Sequence, residues 1–501
     1  MSTTGKNVLK GVFYLSNARL LVAPLGFGAT IVTAWYLSPA EYGILRTFCL
    51  IAFWVNLVAT MGVDAGLNKE MPYYLARNEL ERAEYIKNQT ITIAIIMTTL
   101  SCAGVIIYTF IQYGSNKKIW LGMIIVLLTI MANRAVSFYT ILCYIQKKFS
   151  VLPRVIICQS LIGFVVVVSL LPLLGLYASL VAILVAASTQ CILLKSKIPL
   201  NFKPVFDRKE IKRLFLFGFP FLMLNLTFFG FVRCDQIMIA SMLPIRDMGF
   251  YSFAIAFVTL AVIFFESFAQ VYTPIFQEKL SLVNGDYGKM NDYFWAPTIL
   301  SGYLGSGILL LTFLWSPVIA LFLPKYESSI IVLEILIVGQ IIFSLNIAPS
   351  LALNNNVTKK TWLSCCTYGA AAIVNIALNF FLIKKGYGME GVAIATVSSY
   401  LLIVMIMYYL SAKFVFKSWH GVIRNLVETI VPIMIVLTFP LVQWKLRLFP
   451  IDNYAFKVAG SFLFASMLFI SIVWRSKNNE GLKKILVISL PQSFLLKLKL
   501  A

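Results

Sequence analysis

Long apolar runs recur down the whole of this 501-residue chain, and they leave little choice of fold. Inside a bilayer every backbone N–H and C=O must find its partner within the protein, so a run of about 20 apolar residues becomes a helix. Fourteen such runs can be read off, at residues 12–36, 42–64, 89–112, 118–145, 150–172, 175–195, 214–242, 248–275, 294–322, 328–353, 361–384, 389–412, 424–444 and 455–474. Most connections are short; the longer ones are 65–88, 196–213 and 276–293. The expected fold is an all-α polytopic membrane protein with about fourteen transmembrane helices. Composition agrees, because only 12% of residues are charged, where a soluble domain carries about 25%. A soluble enzyme, a nucleic-acid module and a disordered hub are excluded. The polar start, Met1 to Lys10, runs into the first apolar segment without a small-residue cleavage site, so the first helix is expected to stay in the membrane.

The net charge of +22 is unevenly placed. With the N-terminus set in the cytoplasm, the inside loops collect Arg77, Arg82, Lys147, Lys148, Lys209, Lys212, Arg213, Lys359, Lys360 and many more. The outside loops hold few, among them Lys117, Lys118, Arg246 and Lys325. Lysine and arginine favour the cytoplasmic side. The chain is therefore expected to be a multi-pass protein of the cell (inner, cytoplasmic) membrane with both termini inside, and its charge needs no nucleic acid as partner. Segment 65–88 mixes acids and bases and reads as an amphipathic surface helix. The tail 476–501 sets lysines among leucines and isoleucines, a pattern drawn to anionic membrane lipid.

An internal repeat is visible in the loops. Leu37-Ser38-Pro39-Ala40-Glu41-Tyr42-Gly43 before the second span matches Leu243-Pro244-Ile245-Arg246-Asp247-Met248-Gly249 before the eighth, at an offset of 206. Gln146-Lys147-Lys148 and Thr358-Lys359-Lys360 follow at 212, and Leu174-Gly175-Leu176-Tyr177 and Tyr387-Gly388-Met389-Glu390 at 213. Three ordered matches imply two six-helix lobes in parallel pseudo-repeat, because six is even and the halves keep one orientation. The expected domains are an N-lobe at 1–195, a basic cytoplasmic linker at 196–213 and a C-lobe at 214–412. Two extra C-terminal helices follow at 413–475, then the tail at 476–501.

Chemistry-bearing residues are sparse. All eight cysteines sit in apolar stretches without a CxxC, and the single histidine is His420. No metal site and no cofactor are expected, and no GxxxxGK[ST] loop is present for ATP. What remains is charge inside the spans: Arg19, Arg46, Arg134, Arg233, Asp235, Glu266 and Glu334. A charge at the bilayer centre costs about 2.5–3.5 kcal/mol on insertion scales, so such residues face a partner or a wet cavity. Helical rise places Arg19, Arg134 and Glu266 toward the cytoplasmic side and the other four toward the outer side. Arg233 and Asp235 are two apart and should not pair with each other. Pro24, Gly26 and Gly28 interrupt the first span, and Gly218 and Pro220 lie near the start of the seventh. They read as a hinge or as close helix packing. Asn375 and Asn379, one turn apart, are expected to bond between helices.

The stretches YLSPAEYGILRTF and MGVDAGLNKEMPYYLA, with VRCDQIMIASMLPIRDMGFYSFAIAF, FLPKYESSIIVLEILIVGQIIF and IVNIALNFFLIKKGYGMEGVAIATVSSYLL later on, resemble the polysaccharide transporters of the multidrug/oligosaccharidyl-lipid/polysaccharide flippase superfamily. The resemblance covers residues 12 to about 412 in family order and spacing. It implies two lobes around a central cavity, alternating access, and a lipid-linked oligosaccharide as cargo for surface polysaccharide or lipopolysaccharide synthesis. It also implies polysaccharide-assembly proteins as partners, and the chain is expected to be a monomer and not an enzyme. The extra helix pair resembles that of the lipid II flippase branch, where it forms a groove for a polyprenyl tail.

Since the first two helices line the cavity in that family, Arg19 and Arg46 are the leading ligands for a phosphate headgroup, with Arg134 and Arg233 behind them. Arginine holds phosphate bidentately and keeps its charge. The bland alternative is structural pairing, for instance Arg19 with Glu266. Asp235 occupies the family's usual acidic position and, with Glu266, is the candidate for gating or for coupling to Na+ or H+. Two other cargoes stay open: lipid II itself, or drug cations in a multidrug antiporter of the same fold, for which unpaired arginines are a poor lining.

Overall fold

The computed structural model describes residues 3–415, except 60, 61, 63, 65, 115, 147, 149, 283–289, 356, 357 and 359. The expected spans at 424–444 and 455–474, the tail 476–501 and His420 lie outside the described residues. Within them the chain is helical, and no strand occurs among the described residues. The helices are α1 (Thr3–Tyr36), α2 (Pro39–Ala59), α3 (Met71–Ala76), α4 (Leu80–Tyr113), α5 (Lys117–Ile145), α6 (Val151–Leu174) and α7 (Leu176–Lys197). They continue as α8 (Arg208–Met242), α9 (Ile245–Leu282), α10 (Asn291–Phe322), α11 (Ser329–Ser344), α12 (Ile347–Leu353), α13 (Thr361–Lys384) and α14 (Gly388–Val415).

These elements account for the first twelve expected spans. Nine of them are long and apolar enough to cross a membrane by length and composition, among the described residues. The other three are α1, α8 and α10, of 34, 35 and 32 residues. The chain is a multi-pass helical membrane protein. Two readings change in detail. The tenth span is two helices, because the chain tightens at Leu345 and Asn346 into i→i−3 bonds to Ile342 and Phe343. The Leu345 carbonyl freed there accepts from the Tyr408 hydroxyl at 3.0 Å. Segment 65–88 is likewise no single surface helix. A π turn (Gly66–Glu70) leads into α3, and Asn78 with φ of 59° separates α3 from α4.

Contacts divide the chain into two units, residues 1–252 and 253–501. In the second unit, Trp295, Tyr272, Phe276 and Tyr408 form a buried aromatic core. Tyr408 also shares a hydrogen bond with Thr298 at 2.7 Å. In α13, Asn379 donates to Asn375 at 2.8 Å, and both are fully buried.

The first unit is assembled by small residues and by charge. Gly28 of α1 abuts the ring of Phe164 on α6. A Cβ on Gly43, in α2, would overlap the carbonyl oxygen of Ile245, and one on Gly249, in α9, would overlap that of Pro39. Ile245 stands to Gly249 as Pro39 stands to Gly43, so the repeat-related loops meet reciprocally, as copies of one motif do about a two-fold axis. Gly62 (φ 73°) and Gly218 of α8 meet backbone to backbone in the same way.

Residues 199–207, which join α7 to α8, are bound along α4. Asn88 and Thr92 accept from the Lys203 and Val205 amides at 3.4 and 3.1 Å. Asp207 caps α8 by accepting from the Lys209 and Glu210 amides, and it also takes the Tyr85 hydroxyl at 2.8 Å. Arg213 forks onto Glu70 at 2.6 and 2.8 Å, while Arg82 reaches Glu210 at 2.9 Å. Burial raises the Glu210 carboxyl, but hydrogen bonding and charge from Arg213 and Arg82 outweigh it, and the group lies below its ordinary value. Asp207 is also lowered, first by the Tyr85 hydrogen bond and then by the Lys209 amide.

Two outcomes are expected. Gly43→Ala or Gly249→Ala should cost about 1–3 kcal/mol through backbone overlap, seen as earlier thermal unfolding in detergent. Gly26→Ala, with open space around it, should leave the melting point unchanged or higher. The second concerns acid. Glu210 titrates lower when folded than when unfolded, so its stabilisation is complete above about pH 4.3, the ordinary glutamate value. It is lost as pH falls through the lower folded value. Hydrogen-exchange protection at residues 199–213, taken relative to the intrinsic rate at each pH, should therefore fall below that pH in the parent protein, and the fall should be smaller in Glu210→Gln.

Candidate functional site

Helices α1, α2, α5, α6 and α7 enclose a cavity of about 420 Å³ in the first unit. Its polar lining comes from turns of otherwise apolar helices: Thr30, Arg46, Asn133, Gln159, Ser160 and Gln190. A second cavity of about 440 Å³ shares Cys49, Asn133 and Ile183 with it and extends to Phe53, Asn56 and Arg134. Among the described residues no Asp or Glu lines either of them. The combined space offers one half-buried guanidinium, one buried guanidinium, amides and hydroxyls. Such a set binds anions and polyols better than cations.

Each expected charge can now be placed. Arg46 is half-buried on α2 and donates to the Tyr42 hydroxyl one turn back, with its guanidinium 4.8 Å from that ring. Arg233 on α8 donates to Gln236 at 3.1 Å and lies 5.2 Å over the ring of Phe53. Arg46 on α2 and Arg233 over Phe53 of α2 thus both place positive charge along that helix. Arg134 belongs to another. It is 5% exposed, forks onto Asp64 at 2.7 and 2.9 Å, and sits 4.6 Å over Phe138.

Asp235 is buried and accepts from the Tyr251 hydroxyl at 2.8 Å, which ties α8 to α9. Glu266 is exposed on α9, in the second unit. Glu334 accepts from Ser316 at 3.0 Å. Arg19 lies on α1 and Pro220 on α8, and the side chains of both fall outside the described residues. Pro24 is inside α1, which continues through it. Gly28 packs on Phe164, whereas Gly26 lines the cavity with space around it. Among the described residues no three His, Cys, Asp or Glu side chains gather as a metal site.

The amides were missed by a reading that followed charge alone. Asn133, Gln159 and Gln190 are polar residues deep in apolar spans, and that signal was available in the sequence. Asp64 as the partner of Arg134 was not, because 70 positions and two helix ends separate them.

Comparison with known proteins fits this geometry. The family model described as polysaccharide biosynthesis protein matches residues 8–279, more than half of the chain. The chain belongs to that family. A relative of this family member is an uncharacterized membrane protein of Methanocaldococcus jannaschii, 23% identical over 479 residues, covering 86% of this chain and 90% of the relative. Among solved structures, the lipid II flippase MurJ in its inward closed conformation superposes with a TM-score of 0.70 at 15% identity, over 92% of this chain and 98% of that one. An inward-facing multidrug resistance MATE transporter of the MOP superfamily gives 0.62 at 12% identity, over 80% and 98%. At such identities the likeness is one of fold.

The Arg134–Asp64 pair yields a test of what holds the site. Breaking a buried pair costs about 3–5 kcal/mol when one charge is left behind. Asp64→Asn should therefore lower thermal stability in detergent clearly. The double variant Asp64→Asn/Arg134→Gln should regain more than half of the loss, a positive coupling in a double-mutant cycle.

Proposed function

We propose that this protein is a flippase that carries a lipid-linked oligosaccharide, on a polyprenyl phosphate or pyrophosphate, across the cell membrane by alternating access. The observation that carries the reading is the lining of the cavity: arginine, amides and hydroxyls, with no carboxylate among the described residues. Sugar hydroxyls both donate and accept, which suits Asn133, Gln159, Ser160 and Gln190. The phosphate or pyrophosphate needs fixed cations, which suits Arg46 together with Arg134 in the adjoining space. Membership of the polysaccharide biosynthesis family supports the same cargo class. A multidrug antiporter carrying cations would call for an acid in the cavity, and the described lining has none.

The same reading assigns the remaining expectations. Both termini face the cytoplasm, and the halves related by the offset of 206 rock against each other. Gly26, free of close neighbours, is the point where α1 bends. Asp235, held by Tyr251, serves as a helix clamp, which leaves Glu266 as the acid that couples movement to Na+ or H+.

Purified protein in sealed vesicles with a fluorescent polyprenyl-pyrophosphate oligosaccharide tests the proposal. The parent should equilibrate the lipid between leaflets. A hydrogen bond to a charged group is worth about 1.5–3 kcal/mol, so Arg46→Gln should slow translocation about tenfold or more. Arg46→Lys, which keeps charge but loses the fork, should fall between them. Unchanged translocation in Arg46→Gln, or transport of a drug cation with none of the lipid, would overturn it.

A further inference from the structure

Beside the polar cavity, and still within the first unit, lies a groove of about 210 Å³ between α4 and α5, closed at one end by residues that follow α7. Its walls are apolar: Ile91 and Ile95 from α4, Met131 and Phe138 from α5, Leu200 and Phe202 from the connection to α8. Ile95 and Met131 are among the exposed large hydrophobic side chains, so the groove opens on the lipid-facing side of these helices. Among the described residues one charged side chain lines it, Arg134, and Arg134 also lines the cavity of about 440 Å³. Arg134 therefore borders both an apolar groove and a space that also holds Asn56, Asn133 and Ser137.

Arg134 also has an unspent donor. Its two terminal nitrogens are taken by Asp64, but the buried Nε–H has no acceptor among the described residues. A buried donor without an acceptor forfeits its bond to water with nothing in return, so its persistence calls for an explanation. A groove with apolar walls and one cationic side chain in its lining has the chemistry to hold an amphiphile with an anionic head.

Resting on the flippase reading above, we infer that the α4–α5 groove holds the phosphate-proximal part of a polyprenyl tail, with Arg134 giving its free N–H to the lipid phosphate. The sugar then projects past Arg134 into the cavity lined by Asn133 and Gln159. Polar and apolar parts of one lipid are thereby sorted by one residue. Asp64 holds the guanidinium in place while the groove is empty, and the buried Nε–H meets the phosphate once the side chains that cover it give way. The expected groove of the extra helix pair concerns other residues, and the two can serve different stretches of one long tail.

Photocrosslinking in the full-length protein tests the assignment. A benzophenone side chain is placed at Ile95, in the groove, and at Leu161, an exposed lipid-facing residue on α6. The protein is reconstituted with long-chain polyprenyl phosphate, with polyprenol of the same length, or with phosphatidylglycerol, and adducts are read by mass. The expected result is labelling of polyprenyl phosphate at Ile95 about tenfold above polyprenol, the worth of one charge-assisted hydrogen bond. Labelling at Leu161 should show no such preference. Asp64→Asn/Arg134→Gln, which removes both charges together and so avoids a stranded ion, should erase the preference at Ile95. Equal labelling of polyprenyl phosphate and polyprenol at Ile95, equal labelling of phosphatidylglycerol there, or a preference that survives the double variant would each overturn the assignment. If the groove fails while vesicles still translocate the oligosaccharide lipid, the flippase reading stands alone. If adducts form as expected but nothing is translocated, the lipid site stands and the flippase reading falls.

Discussion

A guanidinium inside an apolar helix bundle has to be given acceptors, and most of what distinguishes the first unit follows from how that demand is met. Arg134 draws Asp64 to it across 70 residues, which fixes the region after α2 against α5. Arg213 draws Glu70 and Glu210, which fixes the start of α8 against the π turn before α3. Arg46 donates to Tyr42 one turn back and lines the cavity. Arg134 and Arg213 thus hold separate elements together, whereas Arg46 presents its charge to the cavity. Ion pairs of this kind stabilise little by themselves, because desolvation offsets most of the attraction. Their consequence is register, since each bidentate fork accepts one geometry.

Glycine completes the constraint on α2. Gly43 near its start lies on the backbone of α9, and Gly62 beyond its end lies on the backbone of α8. Close approach without side chains is how helices pack when burial from lipid gives no net hydrophobic gain. The helix that carries Arg46, Cys49 and Phe53 past the cavity is therefore pinned near both ends by contacts that any added methyl group would spoil.

Helix positions were legible in the sequence because the bilayer leaves the backbone one local solution, and twelve of the expected spans recur as described helices with ends shifted by a few residues. The break at Leu345–Asn346 was not legible. It depends on Tyr408, 63 positions away, taking the freed carbonyl, and hydropathy does not see a hydroxyl acting at that distance. The turn at Asn78 was missed for a local reason: charge pattern suggested one amphipathic helix, but asparagine adopts positive φ readily and ended it. Intramembrane charges stand out in the sequence, because each needs a partner or a wet cavity. Their partners were hidden, because Asp64 and Tyr251 look ordinary in sequence. The amides of the cavity were visible and undervalued, since an uncharged Gln in an apolar span draws less notice than an arginine.

A structural ion pair and a ligand contact are often treated as rival explanations of one arginine, and Arg134 shows why they need not be. Guanidinium carries five N–H donors in a rigid plane, and a bidentate carboxylate uses two of them along one edge. What remains points elsewhere and stays charged, because the carboxylate does not remove the proton. A lysine in the same place would spend its compact charge on Asp64 and keep little geometry for a second anion. The residue that orders the bundle can therefore also receive a phosphate, provided that the second acceptor approaches from the Nε side. In Arg134 that donor is buried, has no acceptor among the described residues, and belongs to a side chain that borders both the polar cavity and the apolar groove.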